Sequence, residues 1–353
     1  MANGAPCVCP NPMSIATRVT AILRDGVQQQ IFPGAVLTAA TPRQQLTVTA
    51  GTYRYTDTQS VTADCIYDLA SLTKIVTTTA ALAMCSQGWL SLDATVTQFL
   101  PQSNAKGVTI RHLLTHTSGL DIRLSTTAQA GAPALWQAVH ACVPVRVPGS
   151  VVAYANVNTL ILGRVLEVIT YQSLAQILMQ YVLHPAAMHQ TWFNPSCALL
   201  ARIPPSEVDS VRGEVHGIVH DESTAVLGGV AGHAGLFGTA ADMLRFGQAW
   251  LATLAGDGPW RIDVALAQQA IQNQSPSGQL GVGLGWMLAR DNFMPPAVIT
   301  AMAAHTGFTG PVVVIVPERQ LVWALLSNRT WPKRTPPRHH TVTRLVAEAL
   351  LDL

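Results

Sequence analysis

The chain has 353 residues, 49% hydrophobic and 11% charged, with 21 basic and 19 acidic side chains for a net charge of +2. That is about two domains' worth of chain with ample core material, which excludes a disordered protein, since disorder goes with low hydrophobicity and high net charge. No run of five like charges occurs, so the electrostatic footprint of nucleic-acid or anionic-membrane partners is missing.

Taken in chain order, the amino terminus lacks both a basic region and a continuous apolar one, so no secretory leader is expected and a cytoplasmic location is. The six cysteines, Cys7, Cys9, Cys65, Cys85, Cys142 and Cys197, are scattered. They are expected as free thiols, because the lone C-x-C at Cys7 and Cys9 has no second pair to complete a zinc site. Residues 15–28 carry a helical period, with Ile15, Val19, Ile22 and Leu23 on one stripe. Residues 34–40 and 46–53 then read as two strands joined by a polar turn. The uncharged segment 75–92 is long enough to raise a membrane question, but its threonines, Gln87 and Gly88 favour a buried helix. Helical patterns dominate to about residue 270. Residues 311–316 and 321–327 are β-rich runs around a Pro-Glu-Arg-Gln turn, and 341–351 is a closing helix. Strands at both ends with helices between predict an α/β (α+β) chain: a discontinuous sheet domain from 1–75 and 271–353, a mainly helical domain over 76–270, and an active site between them.

Three short stretches could carry chemistry. Ser71-Leu72-Thr73-Lys74 opens the uncharged helix, and the i, i+3 spacing puts Lys74 beside the Ser71 hydroxyl at a helix amino terminus, where N–H groups favour developing negative charge. A desolvated lysine can remove the serine proton. Taken alone, the same residues would also serve as a capping serine with a solvated lysine one turn on. Lysine is rare here, only Lys74, Lys106 and Lys333, which makes Lys74 in an apolar stretch hard to read as surface decoration. Tyr154-Ala155-Asn156 precedes an apolar helix; a tyrosine facing a lysine can relay a proton and an asparagine can bond a substrate amide, or the tripeptide can simply mark a helix entry. His305-Thr306-Gly307, followed by Phe308, precedes a strand; Gly307 would let a substrate approach the strand edge and the Phe308 N–H could complete an oxyanion hole, while His305 alone fits an ordinary structural histidine equally.

Other patterns carry less. His216 and His220 stand four apart, but Gly217 lies between them and no glutamate follows His216, so neither a metal nor any other cofactor is expected. Gly281-Val282-Gly283-Leu284-Gly285 lacks the βαβ context of a dinucleotide site and fits an approach to an edge strand near residues 286–288. Trp136, Trp250 and Trp286 are expected in the core.

In this order, S-x-x-K, Y-x-N and H-T-G resemble the three motifs of the superfamily of serine penicillin-binding proteins, class C β-lactamases and related esterases and peptidases. The resemblance extends to Gly88-Trp89-Leu90-Ser91-Leu92-Asp93 and to the stretch Ile110-Arg111-His112-Leu113-Leu114-Thr115-His116-Thr117-Ser118-Gly119-Leu120. It implies a β-lactamase/transpeptidase-like fold, an antiparallel sheet flanked by helices with an inserted helical domain. It further implies Ser71 as the acylated nucleophile, Lys74 as its base, Tyr154 as proton relay, Asn156 as a substrate-amide contact, and the N–H groups of Ser71 and Phe308 as the oxyanion hole.

His305 stands where the β-lactamase-type motif has lysine, and a histidine is mostly neutral at pH 7, so the fixed cation sought by a β-lactam or D-alanyl carboxylate is missing. The stretches Val219-His220-Asp221-Glu222, Gly228 to Phe237 and Ser327-Asn328-Arg329 resemble the H-T-G branch that includes N-acetylmuramyl-L-alanine amidases. By that resemblance His233, with His220, could bond a sugar or lactyl group, or hold a structural place. Arg329 could supply the anionic-substrate contact, or a structural ion pair. Together with His305, Thr306 and Gly307 these complete the expected substrate-binding set. The leading expectation is an acyl-enzyme hydrolase cleaving an amide of a muropeptide-like small-molecule or peptide substrate. A carboxylesterase or acyltransferase, a β-lactamase or D-amino-acid peptidase, and a non-catalytic acylating sensor are the alternatives.

Overall fold

The computed structural model of the protein describes residues 13–334 and 338–353. Its largest sheet is antiparallel and six-stranded, in the order β2-β1-β11-β10-β9-β8: β1 Gly34–Ala40, β2 Gln45–Gly51, β8 Met287–Leu288, β9 Ala303–Thr306, β10 Val312–Val316 and β11 Leu321–Ser327. The two ends of the chain meet at the β1 and β11 pair, Ala35 opposite Ser327 through Ala40 opposite Val322. β10 starts at Val312 rather than at Pro311, as expected for a residue without an N–H to donate.

The central strands are buried along their whole length, and the reason lies in what covers each face. Val312, Val314, Trp323, Leu325, Leu37 and Ala39 pack with helix α1, Ile15–Gln28, and with the carboxy-terminal His339–Leu350 helix. The alternate residues Val313, Ile315, Val322, Ala324, Leu326 and Val36 join the larger core around helix α2, Leu72–Ser86, and the Ala240–Ala255 helix. With both faces covered, period-2 alternation of side-chain direction leaves no period-2 alternation of polarity. Helix α2 shows the helical equivalent: Leu72 through Met84 are all buried, so it carries apolar residues and threonines all round.

The interior of the chain holds more strand than its helical pattern predicts. β3 Ile66–Asp68, β4 Thr191–Phe193 and β7 Leu236–Thr239 form a three-stranded antiparallel sheet, and β5 Glu207–Asp209 pairs with β6 Gly213–Val215. Strands of three or four residues are too short to show a period. They matter nonetheless, because β3 leads straight into the turn that carries Ser71, with Asp68 opposite Phe237 and the Leu69 N–H donating to the Leu236 carbonyl at 2.9 Å. Trp250 and Trp286 are core residues and Trp136 packs against the core. No helix is long and apolar enough to cross a membrane among the described residues.

Candidate active site

Ser71 stands at the amino-terminal cap of α2, yet its side chain makes no capping hydrogen bond. Its Oγ instead accepts from Lys74 Nζ at 2.9 Å, and the same nitrogen donates to the His233 carbonyl at 3.1 Å. Lys74 is 1% exposed, one helical turn from the serine, as the spacing requires. The residue before the serine, Ala70, has φ of +45°, left-handed backbone that costs an alanine about 1 kcal/mol or more. The Asp68 carboxylate holds this turn by accepting the Ala70 N–H at 2.8 Å.

The turn is fastened to the end of β9. Thr309 Oγ1 donates to the Asp68 carbonyl at 2.8 Å, and the Gly307 N–H donates to the Pro311 carbonyl at 2.7 Å. A Cβ on Gly307 would lie 2.7 Å from the Leu69 carbonyl oxygen, so this close approach requires glycine. Among the described residues, the N–H groups of Ser71 and of Phe308 engage no acceptor. Two unengaged donors on segments stapled to each other are the arrangement an oxyanion hole needs.

These groups open on a cleft of about 680 Å³ lined by Ser71, Tyr154, Asn156, Thr306, Gly307 and Phe308. Tyr154 is 48% exposed, and Lys74 Nζ lies 5.0 Å from its ring centroid. Asn156 is the first residue of the Asn156–Thr170 helix. Arg329 lines the same cleft, largely buried, with its guanidinium carbon 4.8 Å from the Phe308 ring; burial lowers its pKa. His220 packs against the same Phe308 ring at 5.5 Å, with its Nε2 2.7 Å from the Glu207 carboxylate.

Two of the expected substrate contacts lie elsewhere. The His305 ring is 1% exposed and lines a separate cavity of about 50 Å³ beside Tyr154, so the third motif faces the cleft through Thr306, Gly307 and Phe308 instead. His305 Nδ1 donates to the Thr306 carbonyl at 3.0 Å; burial first, then the nearby Lys74 and His116, push its pKa well below the usual histidine value and keep it neutral. The His233 ring is fully buried behind the cleft, with Nε2 within 3.0 to 3.1 Å of Ser223 Oγ, Thr224 Oγ1 and Asp221 Oδ1. It reaches the site only through its backbone carbonyl on Lys74. The Gly-rich loop around it serves close packing: a Cβ on Gly232 would meet the Thr159 carbonyl oxygen at 2.1 Å.

No group of three or more histidine, cysteine or acidic residues could hold a metal ion among the described residues. His216 Nε2 is already within 2.7 Å of the Ile203 carbonyl. Residue-by-residue reading missed Asp68, Ala70 and His116. The first two leave no sequence signal, since neither alanine nor aspartate announces a left-handed turn and its brace.

Residues 19–348 match the family model described as Beta-lactamase. The chain belongs to the beta-lactamase family. Among curated proteins of this kind it is 28% identical over 309 residues to a putative D-alanyl-D-alanine carboxypeptidase of Escherichia coli K12, covering 76% of this chain and 70% of that one. It is 29% identical over 321 residues to penicillin-binding protein 4 of Amycolatopsis lactamdurans, covering 84% and 81%. Its fold matches EstCE1, a hydrolase with promiscuous acyltransferase activity, with a TM-score of 0.77 at 21% identity over 95% of this chain and 98% of that one. A class C beta-lactamase gives the same TM-score at 19% identity, covering 95% and 96%. The beta-lactamase-family protein described here is thus a serine hydrolase with the fold shared by penicillin-binding proteins and class C enzymes.

Proposed function

We propose that the protein cleaves an amide of a muropeptide-like substrate through an acyl-enzyme on Ser71. The observation that carries this reading is the 2.9 Å contact from buried Lys74 Nζ to a serine hydroxyl that has no capping duty. Lys74 takes the Ser71 proton as Oγ attacks the substrate carbonyl carbon, and the N–H groups of Ser71 and Phe308 hold the oxyanion, each such donor contributing about 3 kcal/mol to the transition state. Tyr154 hands a proton to the leaving nitrogen as the C–N bond breaks. In the second half, Tyr154 takes a proton from water as the water oxygen attacks the acyl carbon, and Ser71 leaves reprotonated from Lys74. Asn156 holds the substrate amide, and Arg329 meets an anionic group that neutral, buried His305 does not.

A small peptide or other small molecule is the partner this cleft fits. The free thiols of Cys65, Cys85, Cys142 and Cys197 go with a cytosolic setting. The similarity to EstCE1 favours esterase or acyltransferase action as the second reading, and the curated relatives' names favour a D-alanyl peptidase as a variant of the first.

The test is intact-mass measurement after a fluorophosphonate, wild type beside Ser71→Ala. One adduct on the wild type and none on the variant is expected; a wild type labelled elsewhere removes Ser71 as nucleophile. Turnover is then compared on N-acetylmuramyl-L-alanine peptides, D-alanyl-D-alanine peptides and p-nitrophenyl esters. Ester turnover with no amide cleavage would replace the muropeptide reading by the esterase one.

A further inference from the structure

Tyr154 lies on a loop and is half exposed, so neither a helix nor a strand fixes its ring. His116 contacts the chain at three consecutive residues around it. Its carbonyl accepts the Ala153 N–H at 2.8 Å, its ring centroid lies 4.6 Å from that of Tyr154 at an interplanar angle of 33°, and its Nδ1 accepts the Ala155 N–H at 3.3 Å. The same Nδ1 lies 3.0 Å from Asn158 Nδ2, and the Asn158 amide is oriented by its Oδ1, which accepts the Ser118 hydroxyl at 2.6 Å. Two N–H donors pointing at one ring nitrogen fix the tautomer: Nδ1 is bare and Nε2 carries the proton. A protonated His116 would turn an N–H toward two N–H groups. The ring is buried; burial first, then the nearby Lys74 and Arg290, push its pKa below the usual histidine value and keep it neutral.

We propose that His116 is a positioning residue for the proton transfer at Tyr154, a neutral imidazole that sets the tyrosine ring over Lys74 and locks the Tyr154-Ala155 backbone to the start of the Asn156–Thr170 helix. The inference rests on the relay role given to Tyr154 above. A residue acting this way changes turnover through Tyr154 alone and leaves substrate binding largely intact, since displacing a reacting group by about 1 Å can cost on the order of 100-fold in rate.

The experiment is a double-mutant cycle on an ester or amide substrate that the enzyme turns over, with kcat, KM and thermal unfolding measured for each protein. His116→Asn tolerates the left-handed backbone at this position, φ of +53°, and removes the ring. His116→Gly adopts the same backbone freely and removes both ring and acceptor, and serves if the first variant does not fold. Expected is a drop in kcat of about 10- to 100-fold with KM within about threefold, and less than about a twofold further loss when the substitution is added to Tyr154→Phe. Equal losses in both backgrounds, or an unchanged kcat, overturn the inference and leave His116 a packing residue. Full activity of Tyr154→Phe alone overturns the relay role itself, and the inference with it.

Discussion

One oxygen of the Asp68 carboxylate accepts the N–H of Ala70 at 2.8 Å, directly ahead of Ser71, while the other accepts the N–H of His220 at 2.7 Å. The carboxylate is buried, and burial raises its pKa above the usual aspartate value. It therefore joins β3, the nucleophile turn and the loop beside Phe308 through acceptors on a single side chain. Asp68→Asn keeps the shape but turns one acceptor into an NH₂ facing an N–H. The expected loss is about 1–3 kcal/mol of stability, together with at least about a tenfold fall in kcat as the Ser71 N–H shifts. Urea denaturation and ester turnover measure the two effects; lost stability with unchanged kcat would show that the turn keeps its shape without Asp68.

Lys74 sits in a buried helix with two oxygen acceptors, Ser71 Oγ and the His233 carbonyl. Lys74→Met retains length and removes the base. Fluorophosphonate labelling of Ser71 should slow by about 10²- to 10⁴-fold, the usual contribution of general base catalysis. Circular dichroism checks that the variant is folded. Labelling of a folded variant at the wild-type rate would take the role of base away from Lys74.

Much of this site was legible because it is local in sequence. Ser71 to Lys74 is one helical turn, and the sheet strands at both ends are long enough to declare themselves, as α1 and β1 do with the bounds expected of them. What stayed hidden depends on contacts between distant residues. Whether a histidine faces a cleft or a core is decided by the neighbours that bury it: His305 and His233 carry the family's motif residues, but their rings point into the protein. The short strands β3 to β7 exist only because they pair with each other, and the left-handed Ala70 is imposed by Asp68 and by the strand before it.

Several histidines are buried neutral, and this makes the fold acid-sensitive. Burial first, with Lys74 and Arg290 beside His116 and His340 and Arg329 beside His339 second, takes the pKa of His116 down to about 3 and that of His339 down to about 2. In the unfolded chain each titrates near 6.5. Protons therefore bind the unfolded state preferentially as pH falls below about 6.5, and each histidine removes up to about 1.4 kcal/mol per pH unit until its folded pKa is reached. Both ring nitrogens of His339 are buried without a hydrogen-bond partner among the described residues. His339→Leu is thus expected to stabilise the protein, by at least about 1 kcal/mol near pH 5 and by less near pH 8. Thermal melts at the two pH values decide it: parallel pH dependence in wild type and variant would mean that His339 does not titrate between the folded and unfolded states.

Gly307 is where the sheet edge comes closest to the nucleophile turn. An added Cβ would lie 2.7 Å from the Leu69 carbonyl oxygen and 3.1 Å from the Pro311 ring carbons, and the nearest obstacle is backbone that no rotamer change can clear. In Gly307→Ala the end of β9 must therefore move away from Leu69, carrying the Phe308 N–H with it. Asn156 sits on a different segment, at the start of the Asn156–Thr170 helix, and keeps its place. Ester kcat should fall by about 10²- to 10³-fold, the loss expected when one oxyanion donor is misplaced, with KM changed far less and stability lowered by about 1–3 kcal/mol. Steady-state kinetics beside thermal unfolding separate these effects. A variant that is destabilised yet keeps kcat within about twofold would show that the Phe308 N–H is not one of the two donors, and the oxyanion hole would have to be sought among other N–H groups near Ser71.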